Sequence, residues 1–490
     1  MSKYLKKNIL LPLAFLGVAP LGAWAQEAED PGGFDLATGI EQHSAIVGKF
    51  GLAAIDGTPY LGMRLQPDIA IGKLGFGLDV PVFFSVPDFD FRYDEYVGGV
   101  GVLRLARYVR WGVKKKDPIY LRLGTLDNAQ LGHGLLVNNY SNVTSIEKRK
   151  TGLEGDLLFK KTLGFEFIYS DLNFHSLNML AMRPYARPLG FTGIPIVKTL
   201  EVGASFVTDH DNTAIRVNDS LTVSTSQLID DGMNALGLDL GLWLVNTRFM
   251  RLSAAAQYGQ ILKNDQVETL LHSLAALGAP DSAHYMGYAA GNGVSLGLNA
   301  NMNLVANVFR LDARLERIWF GDYFVPQFFD VNYEIDKDGK SLALGAATQR
   351  WGTYGSLTAN LIGKIFFTGS LLIPDRFDAG NPAFLRLDMD ASNIIENVEI
   401  RGTYTKGGIA EPTLDEFFGL DQRSLATVRA AYRFARWFVT GVDFHWTFAQ
   451  TEEGGFDATH YWMPYVGFSI PFGQTQEEEP IMPTDDVQYR

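Results

Sequence analysis

The chain has 490 residues, 20% charged and 47% hydrophobic, a balance that excludes an intrinsically disordered protein. Its formal charge of −13 sets nucleic acid aside as a partner, and with no cysteine there is no disulfide, no cysteine-ligated zinc and no thiol nucleophile. The 51 glycines and 12% aromatics suit many strands and turns better than a helical bundle.

Residues 1–25 read as an export signal. Lys3, Lys6 and Lys7 precede an apolar stretch from Ile9, and Ala23-Trp24-Ala25 supplies the small residues of a cleavage site. Loss of those three lysines takes the charge from −13 to −16. Residues 26–36 read as a short periplasmic segment. Beyond Ala25 no uncharged apolar run of about 18 residues occurs, so a transmembrane helix is not expected.

From there a period of two dominates. Leu163, Phe165, Phe167 and Tyr169 alternate with other residues. Leu236 to Leu244 alternate with Gly237, Asp239 and Gly241, and Leu252, Ala254, Ala256 and Tyr258 repeat the pattern. In "NVFRLDARLERIW" the apolar set Phe309, Leu311, Ala313 and Leu315 interleaves with Arg310, Asp312, Arg314 and Glu316. Leu385, Leu387 and Met389 interleave with Arg386, Asp388 and Asp390. Val398 and Ile400 do so with Glu399 and Arg401, and Val442, Phe444 and Trp446 with Asp443 and His445. Alternation means strand. Runs of about ten residues match a tilted strand crossing a bilayer, longer than the roughly 5–6 residues usual in soluble sandwiches.

Connections sort into two kinds. Gly72-Lys73, Lys160 to Thr162, Asn246 to Arg248 and Ala435 to Trp437 are short. Ser85 to Gly98, Leu126 to Lys150, Thr208 to Asp231, Leu262 to Gly291, Gly321 to Lys340 and Lys406 to Gln422 are long and polar. Outer-membrane barrels show this contrast between periplasmic turns and outer loops. Aromatics near strand ends (Tyr108 and Trp111, Trp319 and Tyr323, Trp437 and Phe438, Tyr461 and Trp462) suggest an interfacial girdle.

The last strand candidate, "YVGFSIPF" from Tyr465 to Phe472, has Gly467, Ile470 and a closing aromatic, Phe472. It resembles the C-terminal assembly signal of bacterial outer-membrane proteins, and departs from it in being followed by residues 473–490, an acidic, proline-containing tail. With this segment and the alternation, the chain resembles Gram-negative outer-membrane β-barrels of the porin-like kind. The resemblance implies contact with outer-membrane lipid and engagement of the barrel-assembly machinery through Tyr465–Phe472. The expected fold is all-β: a transmembrane antiparallel up-and-down barrel over residues 37–472, with an even strand number of about 16–20 and short helices in outer loops.

The polar face then looks into a wet bore. Alternation nominates Arg122, Arg310, Asp312, Arg314, Glu316, Arg386, Asp388, Glu399, Arg401, Arg429, Arg433, Asp443 and His445 as pore-lining. Fixed charges of both signs either filter solutes or pair across strands and stabilise the wall. The charge-poor stretch Leu123 to Val143, with Asn128, His133, Asn138, Asn139 and Asn142, reads as either a constriction folded into the lumen or a packed loop. His133, Ser141 and Asn142 lie close together, yet no nucleophile elbow accompanies them and no enzyme is expected. Asp265 and Glu268 begin a helix that ends at Gly278 and Pro280, with Val267, Leu270, Leu271 and Leu274 on one face. It reads as packed loop or as a lid. Thr413 and Glu416 open a similar piece with Phe417 and Phe418. "DKDGK", Asp336 to Lys340, and "PDFDFRYDEY" read as turns, short of the ligands a calcium loop needs. No metal, cofactor or nucleotide-binding loop is expected. The reading is a passive channel for small polar or charged solutes. The alternatives are a facilitator for hydrophobic molecules gated by a loop helix, or a surface barrel binding polysaccharide or protein.

Overall fold

The alternating segments pair into a single closed wall. The computed structural model describes residues 45–471 apart from 56, 94–95, 97–102, 113, 115–116, 127, 144–149, 161, 173–177, 211–232, 248, 263–289, 305–308, 336, 362–364, 379, 392–393, 422 and 451–455. The signal segment, residues 26–36, the helix expected from Asp265, Phe472 and the tail all lie outside the described residues.

Among the described residues the strands run in chain order. They are β1 (Ala45–Ile55), β2 (Thr58–Ile71), β3 (Leu74–Leu78), β4 (Val80–Ser85), β5 (Ala106–Trp111), β6 (Ile119–Gly124), β7 (Gly152–Phe159) and β8 (Leu163–Tyr169). Next come β9 (Leu180–Ala186), β10 (Glu201–Asp209), β11 (Met233–Asn246), β12 (Met250–Ile261), β13 (Gly291–Asn303), β14 (Phe309–Phe320) and β15 (Arg350–Leu361). The last are β16 (Ile365–Pro374), β17 (Ala383–Asp390), β18 (Val398–Ile409), β19 (Ser424–Arg433), β20 (Phe438–Gln450) and β21 (Phe456–Pro471).

Both β3 and β4 pair with β2, either side of Asp79, so they are two halves of one stave and the wall has 20 staves. Every pairing is antiparallel, and β1 pairs with both β2 and β21, which closes the ring. Closure removes the sheet edge and satisfies the backbone where water is absent.

Register gives the faces. Along β11, Leu236, Leu238 and Leu240 are exposed on the outside while Ala235, Gly237, Asp239 and Gly241 are buried inside. Leu315 is 62% exposed and its neighbour Glu316 only 1%. The exterior is therefore an apolar belt and the interior carries the charge. Trp111, Trp319, Trp437, Phe438 and Trp462 belong to the outer belt. Tyr108 and Tyr461 do not, because each is buried on the inner face, where Tyr108 Oη donates to Asp68 at 2.6 Å.

One end of the ring bears both described termini and mostly short turns, such as 72–73, 160–162 and 434–437. The other bears the long connections 86–105, 125–151, 210–232, 262–290 and 321–349. "DKDGK" is not a simple turn: a helix spans Lys337–Ala346. The segment at Thr413 forms a short helix, Leu414–Phe418, with Thr413 Oγ1 accepting from Glu416 N at 3.3 Å. Its Phe417 packs against the cluster of Ala383, Leu385 and Ile409, and Tyr404 Oη donates to Phe417 O at 2.9 Å, so this piece covers the outside of the wall.

Candidate functional site

Connection 125–151 turns into the barrel, and its composition says why. Left-handed backbone is needed at Gly124 (φ 129°), Asn128 (59°), Gly132 (57°), Gly134 (86°) and Asn139 (51°), positions that glycine and asparagine tolerate. The base is clamped by Asn142, whose Oδ1 accepts from Leu126 N at 2.7 Å and whose Nδ2 donates to Ser170 O at 2.8 Å. Ala129 and Tyr140 exchange two backbone hydrogen bonds, 2.8 and 2.9 Å.

The folded loop meets the inner wall through polar groups. Gly132 N donates to Glu166 at 2.8 Å, Leu135 N donates to Gln257 Oε1 at 2.9 Å, and Arg314 Nη2 donates to His133 O. His133 Nε2 lies 3.8 Å from Asp239 Oδ1. Wall glycines make the approach possible. A Cβ on Gly241 would sit 2.6 Å from His133 Nε2, and one on Gly259 would sit 3.0 Å from Leu136 and 3.2 Å from Phe324.

A second connection joins the first. Within 321–349, Phe324, Phe328, Phe329 and Tyr333 are fully buried inside the barrel. Val137 and Phe329 form a parallel bridge. Gln327 N donates to Leu135 O at 2.8 Å, Phe329 N to Leu136 O at 3.1 Å, and Asn138 N to Phe329 O at 3.1 Å. An ionic latch closes the pair. Glu334 meets Lys150 at 2.5 Å and Lys337 at 3.6 Å and accepts from Tyr140 Oη at 2.5 Å. Asp209, at the end of β10, accepts from Tyr333 Oη at 2.7 Å and Lys337 at 2.8 Å. Burial opposes the charge on Glu334, but Lys150 and Lys337 outweigh it and hold the carboxyl at about 2. Burial, reinforced by the neighbouring Glu334 and Asp209 carboxylates, pushes the Tyr140 and Tyr333 phenols well up.

The expected pore-lining residues fall on inward positions, where pairing is the rule. Arg429 meets Asp443 at 2.9 Å and Glu399 at 3.6 Å; Arg401 meets Asp390 at 3.1 Å and Glu399 at 3.5 Å; Arg386 meets Asp388 at 2.7 Å. Arg314 meets Glu316 at 2.5 Å and lies 4.8 Å from the centre of the Tyr354 ring. Arg122 donates to Thr125 O at 3.2 Å, and His445 is buried edge-on to Tyr461 at 5.2 Å. Arg310 and Asp312 are half-buried, Asp312 accepting from Asn301 at 2.7 Å. Arg433 sits by the 434–437 turn and donates to Arg436 O at 3.4 Å. In the loop, Asn138 and Asn142 are buried, and Asn139 Nδ2 lies 3.5 Å from Tyr354 Oη. Asn142 is committed to its backbone clamp and Ser141 Oγ accepts from Val143 N, so neither side chain is poised beside His133 as a hydrolytic set would require.

Several inward ions escaped the sequence reading. Lys49 pairs with Asp443 at 2.5 Å, and Arg64 grips Asp79 in a two-pronged contact at 2.7 and 2.5 Å. Arg183, 1% exposed, gathers Asp239 (2.5 Å), Glu166 (3.0 Å) and Glu201 (2.9 Å). The signal was present: Arg64, Gln66 and Asp68 alternate with the outward Met63 and Leu65.

An apolar exterior belt, a charged interior and a ring with no open edge admit one environment. The chain is a β-barrel of the Gram-negative outer membrane. No protein-family model matches it, and no curated protein does. Among solved structures it is similar to Pseudomonas aeruginosa OccK11 (OpdR), with 11% identity over 88% of this chain and 96% of that one, at a TM-score of 0.31. It is similar to the outer membrane protein opdK of Pseudomonas aeruginosa at 12% identity over 88% and 98%, TM-score 0.31. The ferric-catecholate import receptor Fiu of E. coli gives 9% identity over 87% and 81%, TM-score 0.33. The assignment to the outer membrane rests on the closed sheet and its belt.

Proposed function

We propose that the barrel is a porin-like channel for passive diffusion of small polar or charged solutes, with the two in-folded connections as its constriction. One observation carries the reading: a loop rich in asparagine and glycine is held inside a charge-bearing wall by hydrogen bonds to Glu166, Gln257 and Arg314. Such a loop reduces the bore and presents amides and ions to whatever passes. Buried Asn138 Nδ2 and Gln327 Nε2 have no protein partner among the described residues, which leaves two amide donors for buried water at the junction of the connections. In this reading the pore-lining set selects by sign, and the less buried Arg310, Asp312 and Glu399 act more than the tightly paired Arg429 and Asp443. Tyr465–Pro471 form the closing strand against β1, which suits an assembly signal read by the barrel-assembly machinery.

A second reading draws on the apolar cluster inside the barrel, where Leu126, Leu135, Val137, Phe324, Phe328 and Phe329 meet. Those side chains would instead conduct hydrophobic molecules. Vesicle swelling separates the two. The channel reading expects swelling with small sugars and amino acids and no protein-dependent uptake of a labelled fatty acid, and the reverse result would replace it. Absence of both, with no stepwise current, would favour a barrel that binds polysaccharide or protein through its loops.

A further inference from the structure

We propose that Arg317 is the phosphate anchor of a binding site for a phosphorylated, acylated lipid of the outer leaflet. The outward positions of β13, β14 and β15 run Asn292, Val294, Leu296, Leu298, Ala300 and Met302; Phe309, Leu311, Ala313, Leu315, Arg317 and Trp319; and Trp351, Thr353, Gly355, Leu357, Ala359 and Leu361. One charge stands among them. A cation on the lipid face is costly at the mid-plane and nearly free at the interface, so its place decides its meaning.

Arg317 is three positions from the end of β14 that carries the long connections, the outer end by the rule that periplasmic turns are short. Its guanidinium does not turn inward. It lies 3.4 Å from the centre of the Trp351 ring and Nη1 donates to Thr353 Oγ1 at 2.9 Å. Thr353 is opposite Arg317 in the ladder, and Trp351, paired with Trp319, is one step nearer the rim. The side chain therefore reaches up toward the headgroup layer, its guanidinium stacked on aromatic surface. A guanidinium has five donors, and one is used here. No carboxylate partners it among the described residues.

Below the cation lies a floor for acyl chains: Leu296, Leu298 and Leu315 are 52%, 49% and 62% exposed and adjacent in register. A fixed cation with spare donors above an apolar shelf fits a phosphate joined to several acyl chains better than it fits a free ion.

The test uses the full barrel, reconstituted in phosphatidylcholine vesicles containing a small fraction of bisphosphorylated lipid A. It is repeated with the dephosphorylated lipid and with inorganic phosphate as competitor. Lipid retained after detergent extraction is the readout, and a heat-modifiable gel band confirms closure of each variant. Wild type should retain the phosphorylated lipid, Arg317→Gln about tenfold less, and Arg317→Lys an intermediate amount because it keeps the charge but loses the planar fork. Equal retention by Arg317→Gln, equal retention of the dephosphorylated lipid, or full displacement by inorganic phosphate would each overturn the proposal. It does not depend on the channel reading.

Discussion

Glu334 shows how single residues hold the lumen's contents in place. Its side chain is buried between Lys150 and Lys337, so Glu334→Ala would remove the carboxylate that half-buried Lys150 meets while Lys337 keeps Asp209, a change that typically costs roughly 1–3 kcal/mol. The expected outcome is a barrel that still closes but whose connections detach, seen as a larger single-channel conductance. The carboxyl sits at about 2 against an ordinary 4.5. Because the folded value is the lower one, the latch is at full strength above pH 4.5 and is lost as pH falls from there toward 2. Conductance should be flat on the neutral side of that interval and rise within it, and Glu334→Gln should abolish the rise. Wall glycines act in the opposite sense. Gly241→Leu places atoms where His133 now lies and should likewise expel the loop tip, with channel recordings as the check and the heat-modifiable band unchanged.

At the scale of elements, the two connections differ in how much the sequence discloses. The stretch from Leu123 to Val143 betrays itself by its lack of charge and by glycines and asparagines placed where the backbone turns left-handed. Connection 321–349 reads as an outer loop because its acids and lysines suggest solvent. Its Glu334 and Lys337 instead pair inside, Lys337 also with Asp209 of β10, and its phenylalanines supply the core. No local pattern distinguishes an ion pair facing water from one buried against a partner 184 positions away, as Lys150 and Glu334 are. The helix Lys337–Ala346 is hidden for a related reason: Gly339 and Gly345 lower its intrinsic propensity, and burial of Leu344 restores it. Asn142 is the residue on which the first connection pivots. Asn142→Ala leaves Leu126 N and Ser170 O without their partner, a loss of about 1–3 kcal/mol, and should appear as frequent current flicker without loss of the barrel.

For the whole molecule, the strands were the most legible feature. A period of two over long segments has one solution when the outside is lipid, and the inward set from Arg310 to His445 follows from parity alone. What parity leaves open is how the charges share one another. Arg183, on β9, collects acids from three neighbouring strands, β8, β10 and β11, and that arrangement exists only once these strands have paired in register. In the proposed channel the same holds for the bore, whose width would be set by the connections that enter the barrel from the loop end. Single-channel conductance in a planar bilayer, for wild type and for a chain with residues 127–141 replaced by a short glycine linker, tests the account most directly. Small steps in the wild type and severalfold larger ones after the replacement are expected. Equal conductance in the two, or no steps in either, would contradict a water-filled barrel narrowed from within.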